Sequence, residues 1–308
     1  MRHLAACICV GVISCAFTDR SSAQDYSTYY TVVHPAEFKI DWKGFYTRAQ
    51  AATDETRRAL PNHLDLTYGS DAKQKLDLYL PVTKPTAAPV FVFLHGGGFR
   101  EGDRRQYGYV ARPFADHGVI TVVASYRLTP LFHFPDQPDD VKQVLAWVAK
   151  NVKTYGGDPG QVYLGGHSAG AILTAAVCVN TDWVASLSLE KGFLKGCVPI
   201  SGSYDMRTEK GVPGYVSDPA LAAQASPVVN VGKNTPLFLI AVGSVETPFI
   251  ASSKALAGQL KANGSTASVL VLQGQAHDDT VWSLGKERGE LFQAILKMIT
   301  PGGRSSAF

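Results

Sequence analysis

The segment that decides the fold lies in the middle of the chain, where residues 162–179 read VYLGGHSAGAILTAAVCV. Its first residues form an apolar run typical of a buried strand, and its last residues are typical of a helix. Between them, Gly166-His167-Ser168-Ala169-Gly170 matches G-x-S-x-G, a pattern that places a serine nucleophile on a tight turn from strand to helix. Glycines two positions to either side let the turn close. We therefore predict that Ser168 is a catalytic nucleophile at the end of a central strand.

Strand and helix patterns alternate over most of the chain around this turn. Residues 63–70 and 75–80 alternate polar and apolar side chains and predict an antiparallel hairpin at a sheet edge. Apolar runs typical of strands buried on both faces lie at residues 89–95, 119–124, 162–165, 198–200, 237–242 and 268–272. Four helices are predicted from helical periodicity. One begins at Asp139, one follows Ser168, one spans residues 252–263, and the last contains Leu284, Leu291, Ile295 and Ile299. This alternation predicts an α/β fold with one doubly wound, mostly parallel sheet flanked by helices.

A second glycine motif, His95-Gly96-Gly97-Gly98, ends the apolar run of residues 89–95. A flexible turn would not explain three glycines at the end of a central strand. Without Cβ atoms, their backbone N–H groups can approach a developing oxyanion closely. We predict that the amides of Gly97, Gly98 and Ala169 form an oxyanion hole, and that His95 braces the loop.

A serine nucleophile needs a base and an orienting carboxylate, which follow it in the chain in the order acid, then histidine. His277 is the only histidine after Ser168. Glu246 is the only carboxylate between the predicted strand ending at Val242 and His277. We therefore predict a catalytic triad of Ser168, Glu246 and His277. Asp278 and Asp279 are the alternative acids, although they lie too close to His277 in sequence to reach its imidazole easily.

The first residues have the pattern of a secretory signal. Arg2 and His3 form a basic head, residues 4–17 are apolar but too short to span a bilayer, and Ser21-Ser22-Ala23 supplies small residues for cleavage. We expect a signal peptide over residues 1–23 and a secreted or periplasmic protein. An alternative is a lipoprotein signal, in which Val12-Ile-Ser-Cys15 would make Cys15 a lipid-anchored first residue. No membrane span is expected in the remaining chain.

Composition excludes several classes of function. The chain has 308 residues, 45% hydrophobic residues and a formal net charge of only +3, without a basic run, so a nucleic-acid partner is not expected. Neither nucleotide-binding glycine motif occurs, nor any cysteine or histidine spacing typical of a metal site, so no cofactor and no metal are expected. Cys178 and Cys197 would permit a disulfide, but buried free thiols are the default interpretation.

Two segments interrupt the alternation and are candidates for a cover over the site. Residues 25–61 are rich in aromatic side chains, and residues 203–234 break the strand–helix rhythm with Pro213, Gly214, Pro219 and Pro227. They either pack as arms or cover the carboxyl ends of the strands, where open α/β sheets bind ligands. Phe99, Tyr204 and Trp282 are candidates for the substrate pocket because they neighbour the catalytic loops, with core packing as the alternative.

These motifs resemble those of the α/β-hydrolase superfamily, specifically the HGGG-type esterases of the arylformamidase and hormone-sensitive-lipase-like group. The resemblance spans roughly residues 60–300 and rests on residues 95–99, Ser125-Tyr-Arg-Leu128, Tyr155-Gly-Gly-Asp158-Pro159 and the Ser168 turn. It implies an eight-stranded sheet, an N-terminal contribution to a cap and a metal-free Ser-acid-His hydrolase. The expected organisation is a signal peptide at 1–23, an N-terminal arm or cap at 24–61 and an α/β-hydrolase domain at 62–308. These relatives usually carry aspartate where this chain has Glu246.

The resemblance implies a serine esterase that cleaves carboxylic esters through an acyl-enzyme on Ser168. The expected substrates are small molecules, namely small or aromatic esters. An arylformamidase-type amide hydrolase is the alternative, because residues 45–60 are similar to the arm of arylformamidases. A non-catalytic binding module on the same fold is a further alternative, since fold alone does not determine function.

Overall fold

The computed structural model of the protein describes residues 40–208 and 214–300. The predicted signal peptide and the alternative lipid site at Cys15 lie outside these residues. In chain order the elements are α1 (Trp42–Ala59), β1 (Asn62–Thr67), β2 (Lys75–Tyr79), β3 (Ala88–Leu94), α2 (Ala111–Asp116), β4 (Ile120–Ala124), α3 (Asp136–Asn151), β5 (Gly157–His167), α4 (Ala169–Cys178), α5 (Trp183–Ser186), β6 (Leu194–Ile200), β7 (Leu237–Gly243), α6 (Thr247–Ala262), β8 (Ala267–Leu272), α7 (His277–Leu284) and α8 (Glu290–Ile299).

The strands form one eight-stranded sheet in the order β1-β2-β4-β3-β5-β6-β7-β8. β1 pairs with β2, and β2 with β4, in antiparallel fashion, whereas the six strands β3 to β8 run parallel to one another. The predicted α/β class, mostly parallel sheet and edge hairpin are therefore confirmed. Because β3 and β5 are neighbours, the loops that follow them lie side by side at the carboxyl edge of the sheet.

The core lies on both faces of the sheet, as the continuous apolar strands predict. Along β3, Val90, Val92 and Leu94 belong to one buried cluster together with residues of α3, α4 and α6. The alternate side chains, Phe91 and Phe93, belong to a second cluster with residues of α1, α2 and α8. Since successive side chains of a strand point to opposite faces, a strand buried on both sides needs apolar residues at every position. This covering holds the carboxyl ends of the central strands in fixed register.

Several predicted helix boundaries are wrong. α3 begins at Asp136 rather than Asp139, and α6 begins at Thr247 rather than at residue 252. In both cases a proline lies in the first turn, where its missing N–H removes no helical hydrogen bond. The predicted last helix is two helices, because the chain leaves helical structure at Gly285 and enters it again after Gly289.

The default interpretation of Cys178 and Cys197 as free thiols is also wrong. The structure joins them in a disulfide, with Cα atoms 6.5 Å apart, within the range that a disulfide spans. The physical reason is that the last turn of α4 packs against β6, the strand next to β5. The bond therefore ties the helix that follows Ser168 to the sheet.

Within the described residues, no helix combines the length and apolar character that crossing a bilayer requires.

Candidate active site

Ser168 lies on a sharp turn between β5 and α4 with a strained backbone. Its φ of 56° and ψ of −117° are unfavourable for a residue with a side chain. The flanking glycines make the turn sterically feasible. A Cβ atom at Gly166 would lie 2.4 Å from the carbonyl oxygen of Gly170, and one at Gly170 would lie 2.4 Å from that of Leu94. The turn therefore packs directly against the end of β3, as the G-x-S-x-G pattern predicts.

The glycine loop after β3 lies beside this turn. A Cβ atom at Gly96 would lie 3.1 Å from the Cβ of Ser168. Gly97 and Gly98 have φ values of 119° and 57°, in the left-handed region that glycine tolerates. Among the described residues, the structure gives the N–H groups of Gly97 and Gly98 no hydrogen-bond acceptor. Ala169 begins α4, so its N–H belongs to the unpaired first turn of a helix. These amides are available to an anion that forms at Ser168.

His95 is buried beneath this loop. Its ring stacks on Tyr126 with 4.4 Å between centroids, its Nδ1 lies 2.7 Å from the carbonyl oxygen of Gly96, and the Tyr126 hydroxyl donates to the His95 carbonyl at 2.8 Å. Burial lowers the pKa of His95 to about 4, so the ring is neutral at physiological pH. These contacts are those expected of a residue that braces the loop.

The structure brings Glu246, which lies between β7 and α6, together with His277, the first residue of α7. The Nδ1 atom of His277 lies 2.5 Å from Oε1 of Glu246, and both side chains are buried. The second oxygen of Glu246 accepts hydrogen bonds from the Ser201 hydroxyl and the Gly243 N–H, both at 2.6 Å. The orientation of the carboxylate is therefore fixed by donors on both sides.

The alternative acids have other positions. A carboxylate oxygen of Asp279 accepts a hydrogen bond from the N–H of Ala276 at 3.0 Å and so caps the start of α7. The imidazole of His277 lies at hydrogen-bond distance from Glu246, whereas Asp278 interacts with His277 as a nearby charge. The geometry favours Glu246 as the partner of His277.

His167, the residue before Ser168, also contacts His277. Its Nε2 lies 2.9 Å from the backbone carbonyl oxygen of His277, and the two rings are 4.5 Å apart between centroids. Burial, and the proximity of a second imidazole, hold the pKa of His167 well below its usual value. A neutral His167 can donate to this carbonyl and position the start of α7. Sequence reasoning assigned His167 no role.

Ser168 and His277 line one small cavity with about 250 Å³ of space not occupied by atoms, part of it open to solvent. Its other lining residues are Trp42, Tyr46, Gly97, Glu101, Tyr107 and His167. The aromatic wall thus includes two residues of α1, from the segment that precedes the sheet. The cavity brings the predicted nucleophile, the predicted base and one predicted oxyanion donor to a single place.

The three predicted pocket residues do not line this cavity. Phe99 is fully buried and stacks on Tyr215 at 3.8 Å between centroids, and Tyr204 is also fully buried. Trp282 lines a separate surface depression with residues of α1. Core packing, the alternative interpretation, therefore describes Phe99 and Tyr204, and the aromatic rings beside Ser168 come from Trp42, Tyr46 and Tyr107.

Glu101 is the one carboxylate among the described residues that line the cavity. Its exposed fraction is 8%, and no described donor lies within hydrogen-bond distance of its carboxylate. Burial raises the pKa of Glu101 to about 7, although Arg100 acts in the opposite direction. No sequence motif marks Glu101 beyond its place three positions after the last glycine of the loop.

Comparisons with known proteins identify similar proteins that are named as esterases and formamidases. The BD-FAE family model matches residues 76–193, from β2 to the end of the loop before β6. The chain is 28% identical to esterase LipC of Mycobacterium tuberculosis over 94% of this chain and 78% of that protein. It is 27% identical to a rice (Oryza sativa subsp. japonica) protein named as a probable isoprenylcysteine alpha-carbonyl methylesterase, over 75% and 62% of the two chains. Kynurenine formamidase of Salmo salar is 30% identical over 53% of each chain.

The fold has close counterparts among solved structures. Esterase B of Lactobacillus rhamnosis superposes with a TM-score of 0.70 and 21% identity, covering 84% of this chain and 91% of that one. A hyperthermophilic esterase of Pyrobaculum calidifontis gives a TM-score of 0.66 and 23% identity, covering 83% and 91%. The fold is that of the α/β hydrolases. The predicted resemblance to the HGGG-type esterases of this superfamily is confirmed by these relatives, although the chain spans only 62% of the rice protein and 53% of the formamidase.

Proposed function

We propose that the protein is a serine hydrolase that cleaves small carboxylic esters through an acyl-enzyme on Ser168. The observation that carries this proposal is that Ser168 and His277 line one cavity, while Oε1 of Glu246 lies 2.5 Å from Nδ1 of His277. Nucleophile, base and orienting carboxylate in this relation are the parts of a catalytic triad. The relatives named as esterases support the same reaction.

In the proposed mechanism the Ser168 hydroxyl attacks the ester carbonyl, and its proton passes to Nε2 of His277. Glu246 accepts a hydrogen bond from Nδ1–H and stabilises the imidazolium that forms. The negative charge on the carbonyl oxygen is stabilised by the N–H groups of Gly97, Gly98 and Ala169. Collapse of the intermediate breaks the ester C–O bond, and the departing alcohol takes the proton from His277. Water then repeats these steps to release the acid and restore Ser168.

The cavity supports a preference for small substrates. It is a small cavity that is partly open to solvent. Three aromatic side chains, Trp42, Tyr46 and Tyr107, form part of its wall and would accommodate a short acyl chain or an aromatic ring.

Hydrolysis of p-nitrophenyl acetate by the purified protein tests this proposal. The Ser168→Ala variant is expected to lose about 10⁶-fold in kcat, since the parts of a triad act as a unit. A fluorophosphonate probe should label the wild-type protein and leave the variant unlabelled. Equal hydrolysis by both proteins would overturn the proposal, and an absence of both hydrolysis and labelling would favour a non-catalytic binding module.

A formamidase is the second candidate, because two fish kynurenine formamidases, of Salmo salar and Danio rerio, are 30% and 31% identical to parts of this chain. The same triad and oxyanion donors can hydrolyse an activated amide. Comparing kcat/KM for an aryl formamide and for the aryl ester of matched size separates the two candidates. A higher value for the formamide would assign the chain to that activity.

We also propose that the protein is exported. The basic head, short apolar run and small residues before position 24 support a cleaved signal. The disulfide between Cys178 and Cys197 is typical of an oxidising compartment. N-terminal sequencing of the mature protein tests this proposal: cleavage near residue 23 supports a soluble exported form, a lipid-blocked Cys15 supports an anchored form, and an intact Met1 contradicts both.

A further inference from the structure

The cavity beside Ser168 contains a charged group that the proposed mechanism does not use. Glu101 follows the glycine loop, and its N–H donates to the carbonyl of Gly97 at 3.1 Å. The loop that supplies the oxyanion donors therefore also fixes the position of Glu101 on the cavity wall. Its side chain is neither needed to hold the nucleophile nor bonded to His277 in the described structure.

Glu101 is largely removed from water, its carboxylate has no hydrogen-bond donor among the described residues, and Arg100 supplies only a nearby opposite charge. Removing a carboxylate from water costs free energy unless hydrogen bonds or an opposite charge compensate. Among the described residues, no hydrogen bond or ion pair involves the carboxylate of Glu101, whose exposed fraction is 8%. Ionisable groups in this condition are concentrated at functional sites. A ligand that brings a positive charge or strong donors would supply the missing compensation.

The neighbours of Glu101 in the cavity are suited to a positive charge. The rings of Trp42, Tyr46 and Tyr107 line the same space, and aromatic faces attract ammonium groups, more strongly when water is excluded. The cavity thus combines one carboxylate with three aromatic residues, a set that recognises an organic cation.

We propose that Glu101 is a specificity-determining residue that selects esters carrying a cationic nitrogen, which binds between its carboxylate and the aromatic wall while the ester carbonyl lies at Ser168. This inference rests on the proposed esterase function and adds the substrate class. The cation is defined here by its chemistry, a primary, tertiary or quaternary ammonium on either the acyl or the alcohol side.

A matched pair of substrates tests this proposal. The acetate ester of choline and 3,3-dimethylbutyl acetate have the same shape, and they differ in that a charged nitrogen replaces a carbon. Acetic acid release by each can be followed by titration at constant pH. For Glu101→Gln, the ratio of kcat/KM for the cationic ester to that for the neutral ester is expected to fall about tenfold, as for loss of one close charge pair. The intrinsic reactivity of each ester is the same whichever protein hydrolyses it, so it cancels when the two ratios are compared.

Glu190→Gln is the matched control. Glu190 is exposed and precedes β6 at the amino edge of the sheet, opposite the catalytic loops. The substitution removes the same charge from the protein, so it separates a local effect in the cavity from a change in net charge. The substrate ratio should be the same for Glu190→Gln and the wild-type protein.

The wild-type protein provides a test that does not depend on folding of the variant. Glu101 becomes ionised as pH rises through about 7, so the preference for the cationic ester should increase between pH 6 and 8. His277 must act as the base for either ester, so this requirement cancels from the ratio. The other titratable or charged groups that face Glu101 from neighbouring segments are Tyr46, Arg100, Tyr107 and His167. The shift in His167 keeps that ring neutral over this range.

The outcomes distinguish this inference from the proposed function. An unchanged substrate ratio in Glu101→Gln, a ratio that is flat with pH, or turnover of p-nitrophenyl acetate without turnover of either matched ester would overturn the role of Glu101. In any of these cases, loss of p-nitrophenyl acetate hydrolysis in Ser168→Ala would still support the proposed esterase function. Hydrolysis that does not depend on Ser168 would instead contradict the esterase proposal itself.

Discussion

The Nδ1 atom of His277 lies 2.5 Å from Oε1 of Glu246, although 31 residues separate them in sequence. A glutamate fits this position because its side chain folds back over its own turn. The Gly243 N–H donates to Oε2 at 2.6 Å, and the N–H of Glu246 donates to the Gly243 carbonyl at 3.1 Å. This compact turn takes up the additional methylene. The departure from the aspartate usual in similar proteins is therefore compatible with a triad.

Glu246→Gln should lower kcat on p-nitrophenyl acetate by about 10⁴-fold, the loss expected when an amide replaces the carboxylate that orients a catalytic histidine. The amide would stabilise the wrong tautomer of His277 and would not stabilise the imidazolium. Asp279→Asn is the matched control, because its side chain caps α7 and an amide oxygen can still accept that hydrogen bond. Near-normal activity in Glu246→Gln together with a large loss in an Asp278 or Asp279 variant would transfer the role to the alternative acid.

Ser201→Ala should lower kcat by about tenfold and leave KM unchanged, because it removes one charge-assisted hydrogen bond from the buried Glu246 carboxylate. Ser201, which follows β6, also contacts the Thr280 hydroxyl of α7 at 2.9 Å. Its hydroxyl therefore links the end of β6 both to α7 and to Glu246. We regard it as a positioning residue. Steady-state kinetics and the rate of fluorophosphonate labelling should change together. Ser283→Ala, which removes another buried hydroxyl of α7, should preserve both rates, and a similar loss in that variant would indicate general disturbance of the helix.

The parts of the site that could be predicted from the sequence are those that local patterns specify. The turn around Ser168 and the glycines after β3 require particular backbone conformations, and those requirements are visible in the residues themselves. His277 could be selected because it is the only histidine after Ser168, and Glu246 because it is the only carboxylate between Val242 and His277. Their catalytic roles remain predictions, but their proximity to each other is a property of the structure.

The residues that were missed depend on strand pairing and side-chain direction. Ser201 reaches Glu246 because β6 and β7 pair, with the Ser201 N–H donating to the Ala241 carbonyl at 2.8 Å. Phe99 was assigned to the pocket from its position beside the glycine loop, but its φ of 63° accompanies a side chain directed into the core. Proximity in sequence does not determine which way a side chain points, and that information appears only in the folded chain.

Removal of the disulfide should lower the stability of the hydrolase fold. Closing the segment between Cys178 and Cys197, which are 19 residues apart, restricts the unfolded chain and is expected to contribute about 3 kcal/mol. Thermal unfolding should therefore shift down by roughly 6–12 °C in Cys178→Ala/Cys197→Ala. Adding a reductant should shift the wild-type protein in the same direction and leave the double variant unchanged. The reductant should be added under partly unfolding conditions, so that it can reach the disulfide. If the melting temperature of the wild-type protein is then unchanged, the assigned disulfide is contradicted.

The buried imidazole of His95 should make stability depend on pH. Its folded pKa of about 4 lies below the ordinary value of 6.5, so between these values the unfolded state binds a proton that the folded state does not. The free energy of unfolding gained from a neutral His95 is complete above pH 6.5 and is lost as pH falls towards 4. A shift of this size corresponds to about 3 kcal/mol at most. Glu101 acts in the opposite direction, since its raised pKa of about 7 favours the folded state at low pH.

The contribution of His95 can be isolated by difference. Urea unfolding of the wild-type protein and His95→Asn should be measured from pH 4.5 to 7.5, because Glu101 and His167 contribute equally to both proteins in this range. The stability of the wild-type protein should fall more steeply than that of the variant as pH decreases from 6.5, since only the wild-type protein must keep His95 deprotonated in order to fold. Parallel curves would show that His95 takes up its proton without cost, and the buried, neutral ring stacked on Tyr126 would then not describe the folded state at acidic pH.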